Sequence, residues 1–146
     1  MGEIGNDAEI FLNTLGCIAE GDWQQLPEIY PNVELDNHVV MPNHIHGIIV
    51  VTANHGARTG RGMASPLRRR SFVAPASGEL GNIVGTFKSM SARRINKTLD
   101  TQGAPVWQRN YYERVIRDST ELDRIRAYIM NNPAKWAEDK HNPVNL

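Results

Sequence analysis

Cysteine is almost absent. Cys17 stands alone, so no internal disulfide can form, and the composition fits a reducing compartment. Long apolar runs are missing as well: nothing approaches the roughly 18 apolar residues of a membrane span. Met1-Gly2-Glu3-Ile4 also lacks the basic-then-apolar pattern of a secretory signal. The expectation is a soluble, cytoplasmic protein. No internal repeat is evident. The most informative absence is of positive charge, because residues 1–57 contain no Lys or Arg at all.

What that segment does hold is eight acids: Glu3, Asp7, Glu9, Glu20, Asp22, Glu28, Glu34 and Asp36. Residues 58–97 reverse the sign, with nine bases (Arg58, Arg61, Arg68, Arg69, Arg70, Lys88, Arg93, Arg94 and Lys97) against Glu79. A formal net charge of zero therefore hides a segment of +8 balanced by one of −8. A segregated basic stretch is the footprint of phosphate-backbone binding, although a solvated helix face beside a loop gives the same count. With 146 residues and 40% hydrophobic content, the chain is expected to be one domain with one core, spanning 1–146.

Periodicity divides the chain. Residues 7–27 read as a helix, with Asp7 as N-cap and Ile10, Phe11, Thr14, Leu15 and Ile18 on one side. Val33–Met41 and His44–Thr52 read as strands of an antiparallel hairpin turned at Pro42-Asn43. Residues 53–77, rich in Gly, Pro and Arg, read as a flexible basic loop. Residues 78–99 form an amphipathic helix with Leu80, Ile83, Val84, Phe87, Met90, Ile95 and Leu99 as its stripe. Val106–Arg117 reads as a strand, and about Ser119–Asn131 as a last helix stopped by Pro133. Helix–strand–strand–helix–strand–helix is an α+β order with a small antiparallel sheet.

Two patches carry chemistry. In Met41-Pro42-Asn43-His44-Ile45-His46-Gly47, alternation along a strand points His44 and His46 the same way. Two imidazoles roughly 7 Å apart on one strand face can converge on a divalent ion if a further ligand comes from elsewhere. They can equally be two partly exposed strand histidines. Gly47 leaves room for a close approach by a backbone or a ligand. In the last helix, Tyr128 and Asn132 are four apart and share a face. A core tyrosine followed by an asparagine capping the helix would look the same.

Taken together, Met41-Pro42-Asn43-His44-Ile45-His46, Val84 with Phe87-Lys88-Ser89, Trp107-Gln108-Arg109-Asn110-Tyr111-Tyr112, Ile116-Arg117 and Tyr128-Ile129 with Asn132-Pro133 resemble the REP-associated tyrosine transposases. These are single-tyrosine HUH endonucleases of the IS200-like superfamily, and the resemblance runs from about Gly2 to about Asp139. It implies a ferredoxin-like antiparallel sheet with helices on one face. Relatives carry a further strand ahead of the point matching Gly2, so the resemblance also implies a domain truncated at its N-terminus and lacking that first strand. It implies that His44, His46 and Asn132 hold Mg²⁺ or Mn²⁺ while Tyr128 attacks single-stranded DNA at hairpin elements, leaving a 5′-phosphotyrosine. It leaves open whether the protein is a monomer or a homodimer. Lys88, Arg93 and Arg94 are then expected at phosphates and Lys97, Arg109 and Tyr112 at DNA, and whichever of Tyr111 and Tyr112 faces outward is expected to stack on a base. Tyr111 and Tyr112 are the rival nucleophiles, and Trp107 is expected in the core. Two alternatives stay open: a catalytically inactive DNA-binding module, and a phosphodiesterase that activates water and uses Tyr128 only structurally.

Overall fold

The computed structural model describes residues 2–4, 10–52 and 79–138. In chain order these form β1 (Gly2–Ile4), β2 (Ile10–Leu12), α1 (Thr14–Gln24), α2 (Leu26–Ile29), β3 (Val33–Val40), β4 (Ile45–Val51), α3 (Glu79–Leu99), α4 (Ser119–Asn131) and a 3-10 helix (Pro133–Glu138). The order is α+β, as the sequence leads one to expect. The described strands make two antiparallel pairs, β1 with β2 and β3 with β4. Among the described residues no helix is long and apolar enough to cross a membrane.

The hairpin β3–β4 is the frame. Val40 lies opposite Ile45, Val39 opposite His46 and His38 opposite Gly47, and the Met41 N–H donates to the His44 carbonyl at 2.8 Å to close the Pro42-Asn43 turn. The register slips between Leu35 and His38, a bulge that lies around Asp36. Both faces of the hairpin are apolar, so both need cover. One packs Val33, Val40, Ile45 and Ile49 against Ala19, Trp23 and Leu26 of α1 and α2 and Ile83 and Phe87 of α3. The other packs Val39 and Ile48 against Leu122, Ile125 and Ile129 of α4. Helices therefore lie on both faces rather than on one, because Ile48 and Val39 would otherwise be left in water.

Two local expectations need correction. Residues 10–12 are strand, and the first helix begins only at Thr14, where the Asn13 side chain accepts the Leu15 and Gly16 N–H groups. Asp7, the expected cap, lies outside the described residues, as does the 53–77 segment read from the sequence as a basic loop. Residues 106–117 are not a strand; they run as an irregular strap across α3. No described strand pairs with the strap. Its ties are Lys88 Nζ donating to the carbonyls of Gln108 at 2.8 Å and Asn110 at 3.0 Å, and Trp107 Nε1 donating to Ser91 Oγ at 2.9 Å. Trp107 does reach the core, its ring 5.3 Å from that of Phe87.

Candidate active site

Alternation along β4 sends Ile45, Gly47 and Ile49 toward α1 and α3, and His46 and Ile48 toward α4. Gly47 is needed for the first of these contacts. A Cβ there would collide with Cζ2 of Trp23 and stand 2.9 Å from its Cη2, so the close approach inferred from the sequence is made by an indole of α1. Trp23 is 4% exposed and has no room to withdraw.

On the opposite face the two imidazoles meet. His44 Nε2 and His46 Nε2 are 3.0 Å apart, with ring planes at 85°. Two nitrogens each about 2.1 Å from one ion at a right angle stand roughly 3.0 Å apart, against about 3.4 Å at a tetrahedral angle. The spacing thus fits two adjacent positions of an octahedral ion; it also fits an N–H···N hydrogen bond between the rings. Asn43 Oδ1 lies 2.6 Å from His44 Nδ1. An amide oxygen only accepts, so in the tautomer that this contact favours Nδ1 donates and the Nε2 lone pair faces His46.

Tyr128 enters from α4, its ring 5.5 Å from that of His46 and nearly perpendicular to it. It is 55% exposed, so it is not a core tyrosine. Asn132, one turn on, is the C-cap of α4 and only 5% exposed, and its side-chain nitrogen is buried without a hydrogen-bond partner. The 3-10 helix adds Trp136, with its ring 6.0 Å from that of His44. Among the described residues no group of three or more His, Cys, Asp or Glu side chains is arranged to hold a metal. The pair of imidazoles is the part of this corner whose measured spacing suits an ion.

α4 is seated by a clasp that sequence reading overlooked. Arg126 grips Asp36 with two bonds, Nε to Oδ1 at 3.0 Å and an Nη to Oδ2 at 2.5 Å, and a third reaches Asp123 at 3.2 Å. Asp36 in turn holds the Arg126 guanidinium above its ordinary pKa, burial opposing it. The signal available in the sequence was an arginine two residues before Tyr128 in a helix that must dock on an acidic strand.

The expected DNA contacts separate into groups. Lys88 spends hydrogen bonds on the strap, and burial lowers its pKa. Arg94 pairs with the fully buried Asp22 of α1, and Arg93 Nε donates to the Ser89 carbonyl of its own helix at 3.1 Å. Arg94 and Lys97 line an open cleft of about 510 Å³ between α1 and α3. Arg109 is exposed on the strap. Tyr112 is 89% exposed, whereas Tyr111 keeps its hydroxyl near Gly81 of α3 and its ring under Lys88. Desolvation first, and the Glu113 carboxylate second, raise the Tyr111 pKa and so work against its forming a phenoxide.

The sequence model of the family described as Transposase IS200 like matches residues 71–132, a span that takes in α3, the strap, Tyr128 and Asn132. A Haemophilus influenzae protein, named only as an uncharacterized protein, is 37% identical over 135 residues, covering 88% of this chain and 70% of its own length. No solved structure matches. With the tyrosine-bearing helix inside the matched span, the chain belongs to the IS200-like transposase family.

Proposed function

We propose that this transposase-family chain is a metal-dependent endonuclease and strand transferase for single-stranded DNA, acting at hairpin elements of the REP-associated kind, with Tyr128 as nucleophile. Family membership makes DNA the partner and transposition the functional class. The observation that carries the finer reading is the meeting of an exposed phenol with two imidazoles whose Nε2 atoms stand 3.0 Å apart.

In this reading His44, His46 and Asn132 hold Mg²⁺ or Mn²⁺, imidazole favouring the manganese ion at least as much. When bound, the cation supplies Lewis acidity to a non-bridging oxygen of the scissile phosphate. Asn43 keeps the His44 Nε2 lone pair available, and the second turn of α4 and its partner strand β3 keep Tyr128 beside His46. The Tyr128 oxygen forms a bond to phosphorus while the bond from phosphorus to the 3′ oxygen breaks. The phenol proton passes to solvent, and the departing 3′ oxygen takes up a proton as a free hydroxyl. The 5′ phosphate stays on the tyrosine, so the phosphodiester's bond energy is kept. Attack by a second 3′-hydroxyl then reseals a strand and returns the phenol.

The test is covalent trapping on labelled hairpin DNA with Mn²⁺. The wild-type chain is expected to give a protein–DNA adduct, and Tyr128→Phe is expected to lose it while still binding DNA, because only a hydroxyl is removed. Cleavage without any adduct, or full adduct yield from Tyr128→Phe, overturns the assignment.

A further inference from the structure

Beside the strap lies a groove of about 650 Å³, between residues 112–117 and the first turns of α4. Three guanidiniums line it, those of Arg114, Arg117 and Arg124, together with Tyr112 at its rim. Its two carboxylates are already committed inward. Asp118 caps α4 by accepting the Glu121 N–H at 2.8 Å. Glu121 accepts the Arg117 backbone N–H at 3.0 Å and Arg114 Nε at 2.7 Å. Neither of the ion pairs made by Arg114 and Arg126 involves the side chains of Arg117 or Arg124, which stand exposed. Three guanidiniums against two carboxylates, one of them already paired with Arg114, leave the groove net positive beside an almost fully exposed phenol ring. An anionic ligand with a flat apolar face complements both.

We propose that this groove binds the nucleotide next to the scissile phosphate, with Arg117 and Arg124 on its phosphate and the Tyr112 ring stacked on its base. The inference rests on the reading of Tyr128 as nucleophile and adds a subsite to it. Arg124 precedes Tyr128 by four residues, so the two share a face of α4 about 6 Å apart along the axis, close enough to serve neighbouring positions of one strand. The ligand is single-stranded DNA rather than duplex, because a stacked ring needs an unpaired base. Contacts to one phosphate and one π-face carry little base preference, so the groove holds strand register and leaves sequence choice elsewhere.

Fluorescence anisotropy with labelled oligothymidylate, over a range of salt, tests this directly. Replacing both arginines (Arg117→Gln with Arg124→Gln) is expected to weaken binding about tenfold and to flatten the log–log salt slope by about 0.7 for each phosphate left without its guanidinium. Tyr112→Ala is expected to weaken it about five- to hundredfold, and Tyr112→Phe, which keeps the π-face, to bind within about twofold of wild type. All these side chains are exposed, so circular dichroism and melting should match the wild type. Wild-type affinity and salt slope in both the double arginine variant and Tyr112→Ala overturn the groove. The outcome separates from that of the nuclease reading: a groove-dependent affinity without any covalent adduct sinks the nucleophile and keeps the groove. A normal adduct with groove-independent affinity does the reverse.

Discussion

Asn43 sits in the exposed turn before β4, yet its side chain decides what His44 can do. Fixing the proton on Nδ1 is the outer support that ligating histidines ordinarily need, and losing such support typically costs 10–100-fold in metal affinity. Asn43→Ala is therefore expected to weaken Mn²⁺ binding by that factor in calorimetric titration, while Asn43→Asp, which keeps an acceptor, retains it. Equal affinity in wild type and Asn43→Ala would remove the residue from the site. Gly47 makes the complementary point on the other face of the strand. The smallest added side chain meets the buried Trp23 indole, so Gly47→Ala is expected to destabilise the fold by about 1–3 kcal/mol, read as a lower urea midpoint at unchanged slope. These positions differ by four residues, and neither effect is visible without knowing what faces each side of β4.

At the scale of elements, α4 matters most, because it brings Tyr128 to the histidines. Its N-terminus is well defined by the Asp118 cap, and its inner stripe is Leu122, Ile125 and Ile129. Such a stripe resists lifting but permits sliding; the Arg126–Asp36 clasp opposes the sliding, since a two-bonded guanidinium fixes both position and angle. Asp36→Ala is expected to cost about 1–3 kcal/mol in denaturant unfolding, and Asp36→Asn, which keeps one acceptor, measurably less. The hairpin β3–β4 and the helices α3 and α4 were legible in the sequence, because each carries its own period and its own stop signals. The N-terminal stretch was not. Ile10-Phe11-Leu12 is apolar in a way that helix and strand share, and Asn13 is the local cue that separates the two. The 106–117 segment failed for a different reason: aromatic and β-branched residues suit a strand, but a strand exists only with a partner. Here Lys88 and Ser91 of α3 take the strap's polar groups instead.

For the whole molecule, pH should report how the strap is welded to α4. The Glu121 carboxyl is held below its ordinary value of 4.5, first by the Arg117 backbone N–H and then by Arg114, with burial opposing. A carboxyl depressed in the folded state stabilises the fold above its unfolded value, and that contribution is lost as pH falls through the folded one. Glu121→Gln is accordingly expected to melt below the wild type at neutral pH, the gap closing as pH drops below 4.5. A gap that stayed constant into acid would mean that Glu121 acts by packing rather than by charge.

The sequence by itself determined the chemical inventory: the two histidines with one residue between them, a tyrosine and an asparagine one helical turn apart, and the separation of acidic from basic segments. These are properties of spacing and composition, which local geometry converts into faces without reference to the rest of the chain. Only the tertiary structure decided that the histidine face of β4 is the one covered by α4, that Arg94 is matched to a buried aspartate, and that Arg117 and Arg124 open onto a groove with Tyr112. Each of those depends on which apolar surface buries against which, and that choice is made by residues tens of positions apart competing for the same two faces of one hairpin.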